Sequence, residues 1–290
     1  MSRPPRSAAV NGIACVAGAC LLLTMADAFA KLLTETLPVM EIAFLRSTVA
    51  LIPILVIARW YGPFSRLRTR HPFQQMLRGF LIISSYTCFL LSIQVLPLAE
   101  TASVFFSSPL LIAGLSPLIL KEKVPLHRWL AICVGFAGVL VIMRPGTESF
   151  RPEALFALAS AALYALGALM ARRLGSIDPP ATTSFYTGLA FLIVSGPFTL
   201  AMPGYWVDPD WTAIAYVTAC GLIAGTAHFL LIQGYRLGEA AVVAPFEYST
   251  LLWAVLFGFV IWSDVPSWST LAGVLLVAAS GLYVLRTERR

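Results

Sequence analysis

The chain has 290 residues, 59% hydrophobic and 12% charged, with a mean hydropathy of +0.83. A soluble domain carries about 25% charged residues, so this composition excludes a water-soluble enzyme or binding module and defines a polytopic membrane protein. The net charge of +6 resides in short loops, the pattern that orients a membrane protein, and it argues against nucleic acid as a partner.

In chain order the apolar runs predict an all-α fold of ten spans, at about 9–31, 38–58, 74–95, 99–120, 126–143, 153–172, 181–202, 211–233, 239–262 and 266–285. Arg3 and Arg6 before an apolar stretch, with Ala17-Gly18-Ala19 before Cys20, faintly resemble a signal peptide. The apolar run continues well past that point, so the stretch is read as an uncleaved first helix. Tight turns follow at Leu96-Pro97, Val124-Pro125, Pro145-Gly146, Pro179-Pro180, Pro203-Gly204 and Val265-Pro266. They leave no room for a soluble domain. The five cysteines lie inside apolar runs and form no CxxC, which predicts small buried hydrophobes rather than disulfides or a metal site.

Two offsets run through the sequence. Ala30, Lys31, Pro38 and Phe44 match Ala171, Arg172, Pro179 and Phe185 at 141 residues, and Gln94, Leu98, Glu100 and Trp129 match Gln233, Leu237, Glu239 and Trp268 at 139. The chain reads as two copies of a five-helix unit, 1–146 and 147–290. Sixteen of the twenty basic residues fall on the side that holds both termini, Arg78 among them; Lys31, Arg144 and Arg151 fall on the other. This predicts cytoplasmic termini. An odd number of spans per copy makes the repeats inverted, and inverted repeats place a substrate site near the midplane, worked by alternating access.

Several residues can carry chemistry. Glu247 lies near the middle of the ninth span beside Pro245, and an intramembrane carboxylate is costly enough to mark function. Glu247 and His228 are the candidates for proton coupling; each also has a plainer role, as a hydrogen-bonded packing residue. Asp27 stands one turn before Lys31, a spacing that predicts an i,i+4 ion pair, with a substrate contact as the alternative. Arg46, with Glu41 five positions earlier, is expected to pair with a carboxylate or to take one from a substrate. Asp27, Tyr86, Phe105, Ser108, Tyr164, His228, Glu247, Tyr248 and Trp253, with Phe106 and Phe185, form the candidate cavity lining. Ala157, Ala161, Ala165, Gly221, Gly225, Gly135 and Gly138 recur at helical spacing and predict close helix packing. No HExxH, GxSxG, P-loop or His/Cys cluster occurs, so neither catalysis, a cofactor, a bound metal nor ATP hydrolysis is expected.

Ala244-Pro245-Phe246-Glu247-Tyr248, then Trp253 to Gly258, Val265-Pro266 and Gly273, resemble the second repeat of EamA-type carriers of the drug/metabolite transporter superfamily. Leu98 to Ala102 and Lys121 to Pro125 resemble its first repeat. Ser263-Asp264 and Thr250-Leu251 depart from the family pattern. The resemblance implies an inner-membrane secondary carrier, monomeric or homodimeric, with a central cavity lined by spans 1, 3, 4, 6, 8 and 9. It implies a small-molecule substrate in a lipid bilayer, with amino-acid export, as in the aromatic amino acid exporters, set first. An importer or facilitator for a vitamin or nucleotide-like metabolite, such as riboflavin or S-adenosylmethionine, is the alternative.

Overall fold

Long apolar runs must satisfy their own backbone hydrogen bonds in lipid, and helices do so within one segment. The computed structural model describes residues 6–61, 67–119, 125–145, 147, 151–174, 178, 180–202, 204, 206–237 and 244–287, and the regular elements among them are all helical. They are α1 (Arg6–Leu33), α2 (Val39–Tyr61), α3 (Pro72–Ile93), α4 (Leu98–Phe105), α5 (Ser108–Ile119), α6 (Leu126–Met143), α7 (Ala154–Leu174), α8 (Pro180–Ala201), α9 (Trp211–Leu237), a 3-10 turn (Ala244–Tyr248), α10 (Ser249–Trp262) and α11 (Trp268–Thr287). Among the described residues seven apolar stretches reach spanning length, counting α4 and α5 as one, and three apolar helices are shorter, Trp129–Met143, Phe246–Trp262 and Trp268–Tyr283. We call the face at which α1 begins the near face and the opposite one the far face.

Two expected spans are not continuous helices. The fourth breaks at Phe106–Ser107 between α4 and α5, just before Pro109, and the described part of the ninth starts with the 3-10 turn that contains Glu247, its expected beginning at 239–243 lying outside the described residues. Proline removes a backbone donor and crowds the preceding turn, and both irregular stretches carry one, whereas Pro53 and Pro197 lie within continuous α2 and α8. The breaks fall at corresponding places in the two halves, and paired interruptions of this kind point to a binding site between repeats.

The packing has the symmetry of the repeat. α1 packs on α9 as α3 packs on α7, α2 on α9 as α3 on α8, and α1 on α10 as α7 on α4 and α5. Exchanging each span for its counterpart in the other half leaves this pattern unchanged. α2 with α8, α4 with α10, and α6 with α11 meet across the axis.

Paired polar ties cross between the halves on opposite faces. On the far face, Glu41 at the start of α2 is fully buried and its Oε2 accepts the Val207 N–H at 3.0 Å, from the α8–α9 connection. On the near face, Asp178 before α8 accepts from Thr69 Oγ1 at 2.6 Å and Gln75 Nε2 at 2.7 Å, from the α2–α3 connection and α3. Glu41 is therefore held by a backbone amide and is not the partner of Arg46.

The small residues sit where helices touch. A Cβ on Gly221 would stand 2.6 Å from Val49 Cβ and 2.9 Å from the Arg46 carbonyl, and one on Gly138 would stand 2.9 Å from the Gly273 carbonyl. Ala157, Ala161 and Ala165 are fully buried. Gly221→Leu is expected to cost about 1–3 kcal/mol by overpacking, whereas Leu111→Ala, at a partly exposed position, is expected to cost less. Melting temperatures in detergent check the ranking; the reverse order would place Gly221 against lipid.

Candidate functional site

His228 and Tyr164 locate an internal chamber. On α9, Gly221, Ala224 and Gly225, seven, four and three positions before His228, are all buried, yet His228 itself is exposed. On α7, Ala157, Ser160, Ala161 and Gly167 surround Tyr164 at the same spacings and are buried, while Tyr164 is 39% exposed. Residues three, four and seven apart share one helix face. Both side chains thus stand on protein-facing surfaces and meet open space there. His228 lies within electrostatic reach of Arg46 on α2 and Arg78 on α3, and Tyr164 within reach of Glu247 and Arg78. These partners place the open space between the halves, away from lipid.

Toward the far face stand Asp27, Arg46 and Tyr86. Arg46 is seven positions into α2, Asp27 six positions before the end of α1 and Tyr86 seven before the end of α3. At about 1.5 Å per residue all three lie roughly 10 Å below the far ends of their helices. The Arg46 guanidinium lies over the Tyr86 ring, 4.3 Å from its centroid, and within electrostatic reach of Asp27. Arg46 Nε and the Tyr86 hydroxyl are buried without a hydrogen-bond partner, and Asp27 accepts no hydrogen bond from the described residues. A cation over an aromatic face is a favourable arrangement, but a guanidinium Nε and a phenol hydroxyl buried without geometric hydrogen-bond partners at this depth are costly. Together they form a site with unused donors and acceptors.

The expected Asp27–Lys31 pair is replaced by another. Lys31 Nζ donates to the Leu96 carbonyl at 2.9 Å, lies 3.9 Å from Asp264 Oδ2 and sits 4.7 Å from the Trp262 ring centroid. Helical spacing permits an i,i+4 contact, but Lys31 is in the last turn of α1, where a long side chain can reach the neighbouring far-face connections instead. Lys31 so ties the far end of α1 to the α3–α4 and α10–α11 connections.

Toward the near face stand Glu247, Tyr248 and Arg78, with Tyr164 at the middle of α7. Arg78, which falls inside the third expected span on the side that holds the termini, lies six positions into α3, and its Nη1 donates to Thr187 Oγ1 on α8 at 2.6 Å. Its Nε has no partner. The missed signal was Gly79-Phe80 after it, since Arg78 is followed by apolar residues and preceded by Pro72, a helix start. Glu247 is within electrostatic reach of Cys20, Tyr164 and Tyr248. The proline-bearing turn thus delivers its carboxylate between α1 and α7. His228 Nδ1 is 2.8 Å from the Ala224 carbonyl. A carbonyl only accepts, so Nδ1 carries the hydrogen and Nε2 is the ring's other polar atom.

Aromatic rings join the two levels. Phe89 meets Phe105 at 5.6 Å between centroids, Phe105 meets Tyr164 at 5.3 Å, and Phe106 meets Tyr248 at 5.3 Å. Three sequence candidates lie elsewhere or deeper. Ser108 is buried at the α4–α5 break, Trp253 packs with Val16 and Cys20, and Phe185 stacks with Tyr186 on α8. Tyr248 also fits against α11: its hydroxyl occupies the place a Cβ on Gly281 would take, with Cζ 2.8 Å away. Gly281→Ala is therefore expected to push the Tyr248 ring off Phe106 and lower transport several-fold. Adding Tyr248→Phe, which removes the clashing hydroxyl, should restore part of the loss in the same assay. No recovery would mean that the glycine serves helix packing alone.

A helical membrane protein of two similar halves, with aromatic and charged side chains gathered between them, has the form of a membrane transporter. The chain belongs to the EamA-like transporter family, which it matches twice, over residues 10–144 and 151–286. An S-adenosylmethionine uptake transporter of Rickettsia prowazekii is 26% identical over 97% of this chain and 94% of its own length. A riboflavin transporter of Vibrio cholerae is 27% identical over 88% of this chain and 85% of its own. A solved crystal structure, 23% identical, superposes with a TM-score of 0.67 over 99% of both chains and shows the same fold. These relatives agree with the vitamin or nucleotide-like alternative better than with the amino-acid export set first from sequence. Their names give no support to the aromatic amino acid exporter group.

Proposed function

We propose that the protein is an ATP-independent carrier that takes up S-adenosylmethionine, or a closely similar nucleoside bearing a free amino-acid group, across the bacterial inner membrane by alternating access. The observation that supports this reading is the Asp27–Arg46–Tyr86 group: a carboxylate within electrostatic reach of a guanidinium whose Nε has no hydrogen-bond partner, beside an aromatic face. S-adenosylmethionine brings a carboxylate for Arg46, an ammonium or sulfonium for Asp27 and a purine for Tyr86 or the Phe105–Tyr164 pair. Charge-assisted hydrogen bonds are about twice as strong as neutral ones, so such a solute gains most from this wall. The relatives named for S-adenosylmethionine uptake support the same reading.

We further divide the chain into inverted repeats 1–146 and 147–290, crossing the membrane ten times with both termini in the cytoplasm. The distribution of basic residues and the paired packing support this arrangement. The Lys31 ties to Leu96 and Asp264 then close the external face and must break when the chamber opens outward.

Riboflavin is the second reading. It is favoured by the run of rings from Phe89 through Phe105 and Phe106 to Tyr248, which suits a flat uncharged ring system but leaves Asp27 and Arg46 unused. Counterflow in proteoliposomes separates the two. Preloaded S-adenosylmethionine should drive uptake of labelled S-adenosylmethionine, with riboflavin and free amino acids competing at least tenfold less well. Riboflavin as the better competitor would select the second reading, and a free amino acid as the better competitor would overturn both.

A further inference from the structure

A pocket of about 300 Å³ opens on the far face, outside the chamber and sharing none of its residues. Its floor is apolar, with Val104, Ile142 and Met143; its polar wall holds Arg144, Arg151 and Glu100. Arg144 ends α6 in the left-handed region, with φ 49°, and its guanidinium reaches across to the Ser267 hydroxyl before α11. Arg151 Nη1 donates to the Val95 carbonyl at 3.1 Å. Each guanidinium has five N–H donors in a rigid fork, so one anchoring bond leaves donors free for the void.

The carboxylate is anchored in the same way. Thr270 Oγ1 donates to Glu100 Oε1 at 3.2 Å, and Thr270 is itself 2.9 Å from Ser267 Oγ. Lys31 stands within electrostatic reach of Glu100 but has its own ties to Leu96 and Asp264. Arg144, Ser267, Thr270 and Glu100 thus form one polar chain that fixes a cation and an anion around a single pocket. A pocket for a plain anion has no use for the carboxylate, and a pocket for a plain cation has none for the arginines.

We propose that this pocket binds a dipolar head group, an ammonium joined to a phosphate or carboxylate, with Arg144 and Arg151 on the oxyanion and Glu100 on the ammonium. Such a head group can come from an ethanolamine phospholipid of the bilayer or from a free α-amino acid in solution, and the apolar floor accepts the first carbons of either. The site is independent of what the chamber carries.

The test uses the full-length protein in detergent, with thermal stabilisation read against titrated dihexanoyl-phosphatidylethanolamine, dihexanoyl-phosphatidylglycerol and glycine. At least one dipolar probe should bind tenfold or more tightly than the anionic glycerol lipid. Stabilisation by the ethanolamine lipid alone assigns the source to the bilayer, and by glycine alone to the solute; both support the site. Arg151→Gln, at an exposed position, should weaken every oxyanion probe about tenfold without lowering the unliganded melting temperature. Glu100→Gln should remove the preference for dipolar over anionic probes. Wild-type binding of the glycerol lipid as tight as that of the dipolar probes, no binding of either dipolar probe, or unchanged selectivity in Glu100→Gln would overturn the proposal.

Discussion

Arg46→Gln is expected to lower S-adenosylmethionine counterflow by one to two orders of magnitude. The guanidinium sits over Tyr86 with its Nε unpartnered and faces Asp27. Removing one half of a charge-assisted contact to a substrate carboxylate costs about 1.5–3 kcal/mol, or roughly ten- to a hundredfold. The same change leaves Asp27 without its nearest opposite charge, so the variant is also expected to melt earlier. The two effects separate in a double variant. Asp27→Asn with Arg46→Gln removes the stranded charge and should recover most of the stability, because breaking one side of a buried pair is worse than replacing both. It should recover none of the transport. Recovery of both would assign Arg46 to structure and remove it from the substrate site.

Glu247→Gln carries the second large effect. Transport without ATP draws on a solute gradient or an ion gradient, and a proton-coupled carrier needs a titratable group at the chamber. Glu247 meets that demand by position: it lies in the 3-10 turn at a helix break and within electrostatic reach of Tyr164, which faces the open space. Gln preserves the shape and one acceptor but cannot carry a proton. The variant should keep counterflow exchange within about threefold of wild type and lose accumulation driven by a pH gradient, a loss of at least tenfold. Wild-type uptake that ignores the pH gradient would replace this coupling with simple facilitation, and Glu247 would then serve the solute or the turn.

Much of the architecture was legible in the sequence because lipid leaves few choices. Continuous apolar runs give helices, and the offsets of 139 and 141 residues give the repeat that the packing between α1 and α9, α3 and α7 reproduces. Small residues at helical spacing, Gly221 and Gly138 for example, do mark the closest approaches. What was not legible depended on which neighbour a long side chain selects. Lys31 and Asp27 satisfy the i,i+4 rule, yet Lys31 is captured by a carbonyl 65 positions along the chain, and the cation near Asp27 is Arg46. Arg78 follows a basic stretch and counts with the side that holds the termini, although it falls inside the third expected span, 74–95; its Thr187 contact shows that it serves the fold as well. Ser108 and Trp253 share the chemistry of cavity residues but turn toward packed surfaces. Their helical phase depends on the break at Phe106–Ser107 and on the 3-10 turn, neither of which has a period to read.

The central claim is that Tyr164 and His228 face one chamber reached from each side of the membrane in turn. Tyr164→Cys in a Cys133→Ser background, since Cys133 is the exposed native thiol, tests it directly with a membrane-impermeant maleimide. Applied to right-side-out and then to inside-out vesicles, the reagent should label the new cysteine from both faces, and saturating S-adenosylmethionine should slow labelling at least fivefold. Labelling from neither face, or from both at a rate the solute leaves unchanged, would contradict the account.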